Sequence, residues 1–139
     1  MNAKIIYKHG RQSYGLSIFE PQNALLLADF LTDDVGGRAN RFVKDFEDAK
    51  DHCGAMNATQ YTKLDGKVFI TPEWIIDEDE SISNGNYFFI QATTLAQLLR
   101  QWEIVHKQRP PYIKIIITDN HVSVTGSDTF PDLSENPIH

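Results

Sequence analysis

Apolar and polar positions along this chain follow two rhythms, a period of two typical of strands and a period near 3.6 typical of helices. Lys4 to Lys8 is short, β-branched and aromatic, and reads as a strand. His9-Gly10 turns the chain into a second strand from Tyr14 to Phe19, which Pro21 ends. The apolar run Leu25 to Leu31 is too short for its period to decide between strand and helix. Turn-forming residues bound it on both sides, Pro21-Gln22-Asn23 before and Thr32-Asp33-Asp34 after, and favour a strand.

After Gly36-Gly37 the rhythm becomes helical from Arg38 to about Asp51. Phe42, Val43, Phe46 and Ala49 form one apolar stripe, and Arg41, Lys44, Asp45, Glu47, Asp48 and Lys50 form a charged face. Gly54 is a candidate C-terminal stop. Asp65-Gly66, between Tyr61-Thr62-Lys63-Leu64 and Lys67-Val68-Phe69-Ile70, predicts a hairpin with a tight turn of positive φ. Pro72 interrupts the second arm, Trp74-Ile75-Ile76 is a candidate resumption, and Asn84-Gly85-Asn86 leads into a strand from Tyr87 to Gln91. Thr93 or Thr94 is a candidate cap for a second helix, with Leu95, Leu98, Leu99, Trp102 and Val105 inward and Arg109-Pro110-Pro111 as its end. Tyr112 to Thr118 and His121 to Thr125 alternate as two final strands around Asp119-Asn120. Tight turns join most strands, so the expected fold is α+β: a largely antiparallel sheet with two amphipathic helices packed on one face. Residues 1–126 form the single domain, and the polar, proline-containing residues 127–139 are expected to be a loose tail.

Composition narrows the classes. A chain of 139 residues with 41% hydrophobic and 23% charged residues is the size and make-up of one globular domain. Its formal net charge of −6 disfavours nucleic acid or an anionic membrane as a direct ligand, because both need a basic footprint. One cysteine, Cys53, permits no internal disulfide. With no apolar h-region at the N-terminus and no membrane-length apolar run, a cytoplasmic protein is expected.

No catalytic or cofactor motif emerges. Cys53 follows His52 but has no nucleophile signature around it, and the plain reading is an unreactive thiol. The five histidines show no metal-ligand spacing. The stretch Asp77-x-Asp79-x-Ser81 resembles the start of a calcium loop, but Ile82 stands where glycine is needed and Phe88 where a bidentate glutamate is needed. Gly36-Gly37-Arg38 lacks the lysine and hydroxyl of a phosphate loop. No pair among the 19 acids is singled out for glycosidase chemistry. Neither a metal nor a cofactor is expected.

The concentrated feature is acidic. Glu73 and Asp77-Glu78-Asp79-Glu80 place five acids and no base in eight residues. Such a run is either a solvated loop or a landing site for a basic partner, where charge steers association. Trp74, just past Pro72, is either core or the aromatic anchor of an interface with an acidic rim.

The C-terminal third, from Tyr87-Phe88-Phe89-Ile90-Gln91-Ala92-Thr93-Thr94-Leu95 through Tyr112-Ile113-Lys114-Ile115-Ile116-Ile117-Thr118, together with the acidic α+β character, resembles the immunity proteins of contact-dependent growth inhibition and other polymorphic toxin systems. The resemblance has no diagnostic motif and carries no binding residue across. It implies a non-enzymatic inhibitor that binds a cognate toxin domain, often a nuclease, and blocks its active site. The expected contacts are then Glu73, Asp77, Glu78, Asp79 and Glu80, with Asp33 and Asp34 secondary and Trp74 as apolar anchor. Two rival readings stand beside it. One is a small enzyme or ligand-binding domain with a concave polar pocket. The other is an oligomer pairing through an open edge such as His121 to Thr125, against which a monomer is favoured.

Overall fold

The computed structural model describes residues 2–11, 13–48, 50–55, 58–72 and 85–131. Among the described residues, two four-stranded sheets, antiparallel throughout, enclose one core with three α-helices and a π-helical segment, an α+β fold. The first sheet runs β2-β1-β7-β8, from strands β1 (Ala3–His9), β2 (Tyr14–Glu20), β7 (Tyr112–Thr118) and β8 (His121–Ser127). The second runs β3-β4-β5-β6, from β3 (His52–Ala55), β4 (Thr59–Leu64), β5 (Lys67–Pro72) and β6 (Phe88–Gln91). The single sheet of the sequence expectation is thus divided in two.

Leu25 to Leu31 is helical, not a strand. Helix α1 (Ala24–Asp29) passes directly into a π-helix (Phe30–Val35), with Gly36 N donating to the Leu31 carbonyl at 2.8 Å. The reason lies in the wider window. Ala24, Leu27, Ala28, Leu31 and Val35 are buried at helical spacing, and alanine and leucine are strong helix formers. Asp33 and Asp34, read as a turn, lie inside the π-helix.

Helix α2 (Ala39–Glu47) buries Ala39, Val43 and Phe46. It ends at Asp48, well before Gly54. The ammonium of Lys63, whose side chain is 2% exposed, donates to the carbonyls of Asp45 (2.9 Å) and Asp48 (2.5 Å), capping the helix where its dipole is negative. Gly54 instead lies in β3 opposite Tyr61, and an added Cβ there would fall 2.7 Å from the Tyr61 ring. The sequence reading lacks this strand because His-Cys-Gly-Ala shows no alternation.

Helix α3 (Ala92–Gln108) buries Leu95, Leu98, Leu99 and Trp102 as expected. No threonine caps it. Thr94 is buried within the first turn, and the Ala92 N–H donates instead to the Gly66 carbonyl at 2.9 Å. Arg109 ends the helix in the left-handed region (φ 50°), ahead of Pro110-Pro111. Arg100 forks onto Glu47 with two 2.6 Å bonds, joining α3 to α2, and this pairing holds the Glu47 carboxyl below its ordinary value. The turns Asp65-Gly66 and Asp119-Asn120 both have the positive φ values their sequences predict. Ser127 closes β8, Phe130 packs its ring on Tyr112, and Pro131 is buried, so ordered packing extends past residue 126. The remainder of the expected tail, residues 132–139, lies outside the described residues.

His121 to Thr125 is an edge, as the oligomer reading requires, but a side chain occupies it. The Gln101 amide donates to the Val122 carbonyl (3.1 Å) and accepts from the Val124 N–H (3.0 Å), taking the place of a neighbouring strand. Gln101→Leu is expected to cost about 1–2 kcal/mol in denaturant unfolding. It also frees the edge, so size-exclusion chromatography should show concentration-dependent self-association that the parent chain lacks.

Candidate functional site

Three aspartates fall within six residues of the helical segment, and each has a different environment. Asp34 is 1% exposed. Its carboxylate accepts from the backbone N–H of Ala58 (2.9 Å) and Thr59 (3.0 Å) and from the Thr59 hydroxyl (2.5 Å). Four lone-pair positions on a buried carboxylate need such donors, and β4 supplies them where it begins. Asp34 therefore fastens the π-helix to the second sheet and has no surface for a partner. Only its backbone carbonyl turns outward, toward the Arg38 guanidinium at 2.9 Å.

Asp33 is exposed, and Asp29 is half-buried one turn before it. Among the described residues no basic side chain pairs with either. The Asp29 carboxyl is pushed above its ordinary value, first by loss of solvent and then by the charges of Asp33 and Asp34. Its ionised form thus sits among like charges, with no basic side chain among the described residues to offset them.

Asp29 lies in an open cleft of about 520 Å³. Leu25 and Leu26 give the cleft an apolar side, Asn23 and Asn86 a polar one, and Pro72 borders it. Asn23 is fixed by donating to the Tyr87 carbonyl at 3.0 Å, which ties the start of α1 to the approach of β6. An exposed leucine beside an uncompensated carboxylate suits a long cationic side chain, since the alkyl stem of lysine or arginine covers apolar surface while its head meets the acid.

Glu73, Trp74, Asp77, Glu78, Asp79 and Glu80 lie outside the described residues. Their position in the chain is nevertheless informative. Pro72 and Asn86, which bracket the stretch 73–84 together with Gly85, both line the Asp29 cleft. Asp29 and Asp33 therefore share one end of the molecule with the two points where that stretch joins the fold. Sequence reasoning overlooked Asp29 because it took the segment for a strand. Read as a helix, the i, i+4 spacing of Asp29 and Asp33 would have marked one acidic face.

The other candidates organise differently. Trp102 is core, its indole N–H donating to the Gly36 carbonyl at 2.9 Å. Cys53 is an exposed thiol on β3. Among the described residues, no group of three or more His, Cys, Asp or Glu side chains converges as a metal site would. No described helix is long and apolar enough to cross a membrane.

The aspartates should separate by mutation. Asp34→Ala strands the donors of Ala58 and Thr59 and should cost about 3–5 kcal/mol, read by urea unfolding. Asp29→Asn should do the reverse. A carboxyl raised on folding binds more protons folded than unfolded between the two values, so its ionisation opposes folding above that window. The variant should thus melt higher than the parent at pH 7. The gain should shrink as pH falls through the raised folded value and vanish below the ordinary 3.8. No family model matches this chain, and no curated protein or solved structure matches it.

Proposed function

We propose that this domain is a binding protein that captures a basic partner protein with the end of the molecule carrying Asp29, Asp33 and the acidic run Asp77-Glu78-Asp79-Glu80. The observation that carries the reading is the Asp29 cleft: a carboxylate that meets no basic side chain among the described residues, at a cost to folding, beside the points where a five-acid stretch joins the fold. A group that opposes folding in the free protein is stabilised when a partner supplies the missing charge. The resemblance to immunity proteins of polymorphic toxin systems gives that partner a chemistry. It is a toxin domain, with a nuclease favoured because a phosphate-holding surface is basic. Inhibition would follow from occluding that surface. Glu73 and Trp74 belong to the same proposed interface, the tryptophan as its apolar anchor. Asp34, being buried, does not.

The test uses the full chain, tagged, as bait in lysate of its source cells, eluted by a salt step. A single stoichiometric basic protein should be released, and its activity should be blocked by adding back the chain. Replacing Asp77, Glu78, Asp79 and Glu80 by lysine should slow association with that protein about 10–100-fold and remove most of its salt dependence, measured by surface plasmon resonance. Unchanged association and salt dependence in that variant would move the interface elsewhere. A partner without basic character would refute the reading.

A further inference from the structure

The net charge of −6 conceals a basic end. Strand β1 finishes at Lys8 and His9, and the turn into β2 carries Arg11. The Tyr14 ring stacks between His9 (4.9 Å) and His106 (5.6 Å), which brings the last turn of α3 and Arg109 to the same place. The register sets Glu20 opposite Lys4 and Tyr14 opposite His9, so this turn is at the far end of the β1–β2 hairpin from Gln22 and Asn23 of the Asp29 cleft. Seven strand residues separate the two ends by roughly 20 Å. Among the described residues no acidic side chain pairs with Lys8, Arg11 or Arg109. Their charge is felt inside the fold as well. The His106 imidazole is held below its ordinary value, first by loss of solvent and then by Arg109, with Glu103 opposing and His9 adding to the effect.

A cleft of about 420 Å³ opens around the turn, lined by Lys8, His9, Arg11, Ser13 and Ser17. Local features of the strands build it. Between Ile6 and Tyr7 the register with β2 slips from Ile18 to Leu16, which leaves Ser17 as an unpaired bulge residue on the edge strand. Gly15 stands opposite Lys8 and offers no side chain to cover it. The turn is closed by Gly10 N–H donating to the Ser13 carbonyl at 2.7 Å. It is fastened beyond α3 by two bonds, from His9 N–H to the Pro111 carbonyl (2.9 Å) and from the Tyr14 hydroxyl to the Pro110 carbonyl (2.6 Å). The groups around the cleft are therefore carried on a fixed frame.

The described lining holds an ammonium, a guanidinium, an imidazole and two hydroxyls, and no carboxylate. Lysine and arginine only donate, so this lining repels cations and suits an oxyanion. A guanidinium forks onto two oxygens of a tetrahedral phosphate, and a lysine supplies a point charge to a third. A carboxylate, with two oxygens in one plane, would satisfy the guanidinium and leave the other donors unused.

We propose that the cleft at the β1–β2 turn binds a phosphate group, free or borne on a larger molecule, with Arg11 and Lys8 as its charged ligands and Ser13 and Ser17 as hydroxyl donors. This site is distinct from the acidic end and does not depend on the proposed capture of a basic partner.

Titration of the isotope-labelled full chain with sodium phosphate, at constant ionic strength and followed by amide NMR, tests this. Shifts should centre on residues 8–17 and saturate with a dissociation constant of about 1 mM. Lys8→Gln and Arg11→Gln, both at exposed positions, should each weaken binding about threefold to fivefold while melting as the parent does. The double variant should show no saturation, and Lys67→Gln, exposed on the other sheet, should bind as the parent. Phosphoserine binding tighter than inorganic phosphate would assign the group to a larger molecule, and the reverse order would assign it to the free ion; both uphold the site. Shifts reproduced by chloride, acetate binding as tightly as phosphate, or undiminished binding in the double variant would each overturn the proposal.

Discussion

The buried carboxylate of Asp34 is the constraint around which the fold is arranged. A charge removed from water must be met by donors, and here they come from the first residues of β4. The same helical segment is anchored three more times. Tyr7 reaches the Ala28 carbonyl from the first sheet, Trp102 reaches Gly36 from α3, and Asn23 reaches the Tyr87 carbonyl ahead of β6. Residues 23–36 thus meet both sheets and the long helix. Each link satisfies a polar group that would otherwise be buried unpaired, so the parts cannot shift independently without leaving donors or acceptors stranded.

The π-helical turn belongs to this arrangement. Its wider winding brings Phe30, Leu31, Asp34 and Val35 inward together, and rare π-turns commonly persist where they place a needed group. Beside the satisfied Asp34, Asp29 and Asp33 meet no basic side chain among the described residues. The difference between them is one of donors, not of residue type. A carboxylate given three hydrogen bonds holds the fold together, and one left among like charges opposes its own ionisation.

Much of this was legible in the sequence. The hairpin at Asp65-Gly66, the stripe from Leu95 to Trp102, the alternation of Ile113, Ile115 and Ile117 and the stop at Arg109-Pro110 each depend on contacts close in the chain, and each is found as read. The misreadings have two kinds of cause. For Leu25 to Leu31 the window was too narrow, since the helical spacing shows only when Ala24 and Val35 are counted with it. The strand at Gly54 carries a glycine because the Tyr61 ring opposite it fills the space a side chain would need. The α3 cap is a carbonyl from another element, which no local signal announces. In the candidate site, the acidic run is visible to the eye as sequence. The loss of solvent that sets Asp29 apart from the other acids depends on the folded cleft.

That borrowed cap has a consequence of its own. The β5–β6 ladder runs from Lys67 opposite Gln91 to Ile70 opposite Phe88, and the bond from Ala92 to Gly66 lies just beyond it. The register of the pair and the start of α3 are therefore set at the end remote from Pro72 and Gly85. One backbone bond thus couples the Asp65-Gly66 turn to the long helix, so a change that distorts that turn also unseats the first residue of α3.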